Sequence, residues 1–450
     1  MYKVLGIAVT AFLLGACGGG GTSPVPQQSN KTGSIPEKTT PQKTPLDDKK
    51  AFFLYAGKDI NTTLHEDVVF RAVTDLSSDV QVNYVWKENG KVLSRSPLFI
   101  KRDLLPGIHK ITLTATTENK LSQSDTVVVQ VSPYVLLEHW EDTDRNNVFD
   151  KLAAYTYDTK GYKTKYISSN PSTQTVFKQD IYTYDTNGNM VVYEVDEDGD
   201  NSMDHRYQYV YDDNGFLISV KYDENMDGIV DSISLYTYTK SGEIETDEFD
   251  RNADGKADTR DVYKYDQNDN CIEYLKDENG DGSVDYKERY TYDSAGNMLT
   301  KSIDFQNDGK WDYSDKYVYE NSLLIAYYQD EDGDGAANYA EHYRYDNNKD
   351  MIEKGYDFEN DGKTDLVEKY KYDNQHRQIE FTQDENADGQ PEFISYSTYT
   401  PNGKLAKLEQ DTNTDGTIDV TVLYSYDADD NLLEVRENGI VVDKQQWLHI

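Results

Sequence analysis

A nine-residue acidic pattern recurs nine times in the C-terminal two-thirds of this chain, and its residue types are those that hold a hard cation. Positions one, three, five and nine carry side-chain oxygens: Asp196, Asp198, Asp200 and Asp204 in the first copy, then Asp223, Asn225, Asp227 and Asp231. The next copies hold Asp250, Asn252, Asp254 and Asp258, then Asp277, Asn279, Asp281 and Asp285. Asp304, Asp308 and Asp312 follow, with Gln306 at position three. The series continues with Asp330, Asp332, Asp334 and Asn338, then Asp357, Glu359, Asp361 and Asp365. It closes with Asp384, Asn386, Asp388 and Glu392, then Asp411, Asn413, Asp415 and Asp419. Position six is Gly in eight copies and Asn201 in the other, which suits a sharp bend; positions two, four, seven and eight vary freely. Alternate side chains in such a loop turn inward on a cation. An all-oxygen, carboxylate-rich, flexible set favours Ca2+ over Mg2+, which demands a tighter octahedron and keeps its waters. Solvated turns also use Asp, Asn and Gly, but they do not require oxygen donors at the same alternate places in nine loops. Ca2+ is therefore the expected cofactor.

Glu288, Glu341 and Glu368 add a carboxylate at the twelfth position, as do Asp261 and Asp315. The copies ending at Glu288 and Glu341 resemble the full calcium loop of EF-hands. Their flanks read as strands, so the site is more similar to the helix-free DxDxDG loops of thrombospondin type 3 repeats. That resemblance implies structural calcium and no helix-opening switch.

What must position these loops is a repeat of 27 residues, shortened to 26 between Asp304 and Asp330. A weaker copy starts at Asp142, and the slots near Ser169 and Asn438 have lost their acids, as terminal copies that cap an array do. Asp277 to Ile303 serves as the specimen. After the acidic loop, Tyr286–Tyr292 reads as a strand whose Tyr286, Glu288, Tyr290 and Tyr292 share a face. Asp293-Ser294-Ala295-Gly296-Asn297 supplies a turn, and Met298–Ile303 returns. Each repeat is a hairpin, the array is an antiparallel meander, and every acidic loop falls on one edge. About 22 strands cannot remain one open sheet, so the meander must curl or close. The recurring Tyr-x-Tyr-Asp-x-x-Gly segments, as at Tyr182–Gly188, Tyr209–Gly215 and Tyr290–Gly296, resemble the YD repeats of RHS-type proteins. That resemblance implies a spiralling sheet or shell. RHS shells commonly enclose a toxin domain, and none is expected after these repeats. The tyrosines read as a structural side-chain ladder ahead of a sugar-stacking platform. Cys271 takes the place held by Met190, Leu217, Ile244 and Met298, so it is expected to be an apolar wall residue.

Upstream, Lys3 and the apolar run Val4 to Leu14 read as a signal peptide too short to span a bilayer. Leu14-Gly15-Ala16-Cys17 resembles the bacterial lipobox, which implies cleavage after residue 16 and lipidation of Cys17, with the outer membrane as destination because Gly18 follows. Residues 17–50 are rich in Gly, Ser, Thr, Pro, Gln and Lys, a composition expected of a disordered tether. Residues 51–133 alternate with period two: Val80, Val82, Tyr84 and Trp86 form one face, Ile111, Leu113 and Ala115 another, and Val127, Val129 and Val131 a third. The run from Tyr84-Val85-Trp86 to Leu105-Pro106-Gly107 and on through Ala115 resembles PKD-type immunoglobulin-like domains, which implies a spacer or weak binding module. The expected architecture is all-β: a small Ig-like sandwich, then a long curled antiparallel meander of 27-residue hairpin repeats over 138–450.

Composition narrows the function. With 45 Lys plus Arg against 83 Asp plus Glu, the net charge is −38, which repels nucleic acid and attracts cations. The seven His residues show no zinc-ligand spacing. No nucleophile motif or phosphate loop occurs, so no enzymatic activity is expected. The expected function is a calcium-stapled surface lipoprotein with a structural, adhesive or envelope-scaffold role. Its expected partners are the membrane through its lipid, and a surface polysaccharide or another envelope protein. Carbohydrate binding through the tyrosines or the Ig-like unit is the alternative.

Overall fold

The computed structural model describes residues 52–62, 64–76 and 80–449. The expected signal peptide, Cys17 and the tether lie outside the described residues. Everything described is strand or connection. In the N-terminal unit, Ile60–Thr62, Ser122–Val131, Gly107–Thr117, Val82–Glu88 and Lys91–Ser94 form a five-stranded sheet in that spatial order. Two short antiparallel pairs accompany it: Leu54–Tyr55 with Val73–Thr74, and Val68–Arg71 with Leu98–Lys101. Period-two alternation puts Ile111, Leu113, Ala115, Val127, Val129 and Val131 on one face, buried with Trp86, Phe70 and Phe99. The Phe70 and Phe99 rings stack at 4.9 Å, and each meets Trp86 edge-on. Burial of side chains this large stabilises the unit by about 1.5–3 kcal/mol apiece.

From Tyr134 to His449, 24 antiparallel strands form a closed barrel in strict sequence order. The expected meander is thus present, and it closes. Most strands are seven residues long. All but one of the long hairpin turns begin with Asp or Thr; the Asp side chain accepts backbone N–H groups two and four residues on, as Asp293 does from Ala295 and Asn297, and Thr239 and Thr400 accept the one four residues on. Where the Gly of the turn is replaced, as at Lys349, His376 and Asp430, the left-handed conformation persists. The 26-residue step has a plain cause: the turn between Glu320 and Leu323 is two residues long, with Asn321 and Ser322 both at positive φ.

Successive hairpins are locked by one recurring bond. The last tyrosine of a strand donates its hydroxyl to a main-chain carbonyl 21 residues earlier, as in Tyr211 to Met190 (3.0 Å), Tyr292 to Cys271 (2.7 Å) and Tyr399 to Gln378 (2.6 Å). Cys271 itself is buried at the expected wall position. Strands about 4.8 Å apart in a ring of 24 give a perimeter of about 115 Å, hence about 37 Å across before strand tilt. Side chains cannot span that width, so inward residues satisfy one another along the wall. The outward face carries cross-strand ion pairs, including Arg206–Glu194, Arg260–Glu248, Lys287–Glu273, Arg344–Glu353 and Lys371–Glu380. Charged side chains of this kind are costly on a wall that faces lipid. Among the described residues no helix is long and apolar enough to cross a membrane.

The barrel closes where Tyr134–Glu141 meets Ile440–His449. There His139 Nε2 donates to Asp443, and Glu141 lies 3.5 Å from Nδ1. The Asp443 hydrogen bond raises the His139 pKa, against an opposing effect of burial, with Glu141 helping and Lys151 hindering. A raised imidazole pKa stabilises the fold fully below the unfolded value near 6.5 and loses that contribution as pH rises through the folded one. His139→Gln should therefore cost about 1 kcal/mol at pH 6, and the deficit should fade by pH 8.5 in urea melts. A deficit constant over that range would remove the ion pair from the seam's energetics.

Candidate metal centres

The two rims of the barrel differ in chemistry. One rim carries the hairpin turns, and five consecutive turns receive the N-terminal unit. His65 contacts the Lys160 carbonyl and stacks on Tyr162, Arg102 reaches Asn189 and the Gly215 carbonyl, Ile100 N donates to Asn214, and Arg71 pairs with Glu243 and Asp269. The other rim carries all ten acidic loops, including the weaker copy at Asp142.

Each loop is built the same way. The first Asp ends a strand and is buried; Asp196 is 0% exposed and Asp357 2%. Its Oδ2 accepts the N–H of residue six, from Asn201 at 2.9 Å in one loop and Gly362 at 2.8 Å in another. The third side chain accepts from the fifth N–H in most copies, as Asp198 does from Asp200 (3.1 Å) and Asn252 from Asp254 (3.0 Å). The fifth accepts from the seventh, as Asp227 does from Ile229 (2.8 Å) and Asp308 from Lys310 (2.9 Å). The ninth accepts from the second N–H in every loop, through Asp204, Asp231, Asp258, Asp285, Asp312, Asn338, Asp365, Glu392 and Asp419. Oxygens from positions one, three, five and nine are thus fixed by main-chain donors. At Asp277 burial opposes ionisation, but the N–H groups of Gly282, Asn279, Gly280 and Asp281 outweigh it and hold the carboxyl below its ordinary pKa.

Three loops bring three carboxylates within 4.8 Å of one another, an arrangement able to hold a metal ion: Asp142, Asp144 and Asp150; Asp196, Asp198 and Asp204; and Asp330, Asp332 and Asp334. All three have Asp at position three, where most other copies have Asn or Gln. The first of these groups is absent from the candidate ligands read above, although its D-x-D start and the Asp at its ninth place carry the signal.

The twelfth position lies elsewhere. Glu288 is the third residue of its strand and faces the barrel interior, where the hydroxyls of Tyr286 and Tyr290 donate to it and Lys301 lies 3.4 Å away. Glu341 is held the same way by Tyr339, Tyr343 and Lys354, and Glu368 by Tyr356 and Tyr370. Burial would raise the Glu341 pKa, but those three donors outweigh it and lower it. The structure does not bring these glutamates to the loop oxygens. Their spacing fits an EF-hand; their strand periodicity turns them into the wall.

Position four also departs from the free variation read in the sequence. It is left-handed in every copy, from Gly199 (φ 74°) to Thr414 (φ 55°). It is also where neighbouring loops meet. Asn307 Nδ2 donates to the Val284 carbonyl and Asn360 Nδ2 to the Ala337 carbonyl, both at 2.9 Å. A Cβ on Gly280 would fall 2.2 Å from the Ala257 carbonyl, so only Gly admits that approach. The shared constraint is backbone shape, which residues as unlike as Gly, Met and Thr conceal.

Tyrosine rings line the interior in contact with one another, stacked in one stretch and tilted or edge-on in others. Tyr182, Tyr193, Tyr207 and Tyr222 form a continuous ladder with centroid distances of 5.2, 5.6 and 4.7 Å. Their faces are turned to each other along the wall.

No protein-family model and no curated protein matches the sequence. Among solved structures, the chain is similar to the RHS/YD-repeat toxin complex TcdB2-TccC3. With Cdc42 present, the TM-score is 0.31 at 12% identity over 76% of this chain and 18% of that one. Another TcdB2-TccC3 structure gives 0.25 at 12% identity over 82% and 26%. SGBP-B of the Bacteroides ovatus mixed-linkage glucan utilization locus, in complex with a mixed-linkage heptasaccharide, gives 0.16 at 9% identity over 56% and 67%. The chain spans roughly a fifth to a quarter of the TcdB2-TccC3 chains it matches. At these scores the likenesses assign no activity.

Proposed function

We propose that this chain is a non-enzymatic, calcium-binding surface lipoprotein in which Ca2+ staples the loop rim of a hairpin-repeat barrel. The observation that carries the reading is the gathering of ten acidic loops on one rim, each with its first Asp buried and one oxygen of that Asp held by the main-chain N–H of residue six. Three of them hold carboxylate triples that repel one another unless a cation intervenes. Calcium suits the site because the donors are all oxygen and the loops are short and flexible. The lipobox-like Leu14-Gly15-Ala16-Cys17 supports an outer-membrane lipid anchor, with a tether over 17–50. The N-terminal unit, read as PKD-like, would then stand on the turn rim as a spacer, leaving the acidic rim for an adhesive or scaffolding partner. Carbohydrate binding through tyrosine faces is the weaker reading, because the stacked ladder spends those faces within the wall.

Metal analysis and calcium calorimetry on the full chain after chelation test this. Several ions per chain at millimolar calcium or below are expected. No bound ion under those conditions would reduce the loops to solvated turns.

A further inference from the structure

The ten loops are not equivalent. In eight of them both oxygens of the first Asp accept backbone N–H groups: Oδ2 from residue six, and Oδ1 from residue three, four or five. Asp250, for example, receives Asp254 N at 3.1 Å and Gly255 N at 2.7 Å, and Asp384 receives Asp388 N at 3.1 Å and Gly389 N at 2.8 Å. The loops at Asp223 and Asp411 break the pattern. There Oδ2 accepts from Gly228 (3.0 Å) and Gly416 (2.9 Å), while Oδ1 is buried without a hydrogen-bond partner. The two residues are 6% and 4% exposed. A buried carboxylate oxygen without a donor is costly, and it calls for a water, an ion or a functional explanation.

The rest of both loops is already ordered around that oxygen. Asn225, Asp227 and Asp231 accept N–H groups at 2.9, 2.8 and 2.7 Å. Asn413, Asp415 and Asp419 do the same at 3.0, 2.8 and 2.8 Å. Both loops also place large or branched residues, Met226 and Thr414, in the left-handed fourth position, where the other seven copies from Asp196 onward carry Gly, Ala or Asn. Such conformations persist where the surroundings over-determine them.

We propose that Asp223 and Asp411 mark the two primary cation sites, filled first by a divalent, oxygen-seeking ion of calcium size, and that the other eight loops fill at higher concentration. The proposal rests on the calcium reading above and deepens it. The three carboxylate triples carry more charge, but Asp144, Asp198, Asp332 and Asp334 are exposed and screened by salt, and the first Asp of each triple is already satisfied by main-chain donors. At Asp223 and Asp411 the protein offers Oδ1 no donor, so the cation is what completes the site.

Calcium calorimetry on the full chain at physiological salt tests the assignment. The parent should show a tight class of two ions followed by a weaker class. Asp223→Asn and Asp411→Asn should each remove one tight ion, and together should weaken the first binding at least tenfold. Asp250→Asn with Asp384→Asn, in loops that also have Asn at position three, should keep the tight class. Folding is checked by circular dichroism. Met226→Gly with Thr414→Gly keeps every ligand oxygen and relieves both left-handed positions, so it should tighten the first class several-fold and leave the weaker class unchanged. A tight class that survives the Asp223 and Asp411 substitutions, or that falls equally in the Asp250 and Asp384 pair, overturns the assignment alone. Likewise, tightening of only the weaker class by the glycine pair overturns it. Absence of binding by every protein overturns the calcium reading and this inference with it.

Discussion

Removing calcium should lower the melting temperature of the full chain by about 6 °C. Two sites held one hundredfold above their dissociation constant would add about 5 kcal/mol of stability. With an unfolding entropy of about 2.1 cal/mol/K per residue, a chain of this size moves by only about 1.2 °C for each kcal/mol. The sign follows from charge. Within a triple such as Asp330, Asp332 and Asp334, carboxylates less than 4.8 Å apart repel by about 1 kcal/mol per pair even at the dielectric constant of water. Two neighbouring loops about 10 Å apart, each with about three unit charges, add about 3–4 kcal/mol over their nine charge pairs at low salt and about 1 at physiological salt. Sodium chloride should therefore raise the melting temperature of the metal-free protein and shrink the gain from calcium. Magnesium at equal concentration should restore much less. Thermal melts in chelator and in millimolar calcium at matched ionic strength read this directly, and superimposed curves would refute a stapling role.

How much of this was legible in the sequence depends on how local the cause is. The hairpins were legible because turn chemistry is local: Asp293 to Asn297 fixes its own turn through side-chain acceptance of the next main-chain donors. The gathering of acidic loops on one edge follows from hairpin parity alone. Closure at 24 strands was not readable, since it depends on Tyr134–Glu141 meeting Ile440–His449, two segments outside the clear repeat. Glu288 is the instructive case. The sequence placed it both on the tyrosine face and at the twelfth place of a calcium loop, and one side chain cannot serve both. Strand alternation fixes the face, and two tyrosine donors take both carboxylate oxygens. Position four concealed its role because a φ requirement is shared by Gly199, Ala253, Asn307 and Thr414, whose side chains have nothing else in common. The orphaned oxygens of Asp223 and Asp411 could not be read at all, because these loops have the same residue types at every ligand position as the one at Asp250.

Asp247→Asn should stabilise the protein at neutral pH, against the usual direction for a substitution in a barrel wall. Asp247 and Asp261 are direct cross-strand partners on the interior face. Elsewhere on that face the carboxylates have a lysine or tyrosine donors beside them, as Glu288 has both. Here two carboxylates face each other, and Asp261 Oδ1 is buried without a partner. Burial first, then the Asp261 charge and that of Glu248, push the Asp247 pKa from 3.8 up to about 6. Asp261 is raised too, by burial, against the pull of Tyr274 and Lys276. A carboxyl whose folded pKa exceeds its unfolded one binds more protons when folded, so stability falls as pH rises between the two values. Below about pH 4 both states are protonated and the penalty vanishes; above about pH 6 it is complete. A tenfold difference in proton affinity between the folded and unfolded chain is worth about 1.4 kcal/mol, and partial exposure of the pair trims the total to about 2 kcal/mol. The Asn variant, which keeps the shape and can donate to Asp261, should exceed the parent by about that amount at pH 7.5, with the difference gone at pH 4. Urea melts of both proteins across that range, in constant calcium, give the result. A difference that is independent of pH, or that favours the parent at pH 7.5, would mean that the two carboxylates are not in conflict and that a cation or an ordered donor already lies between them.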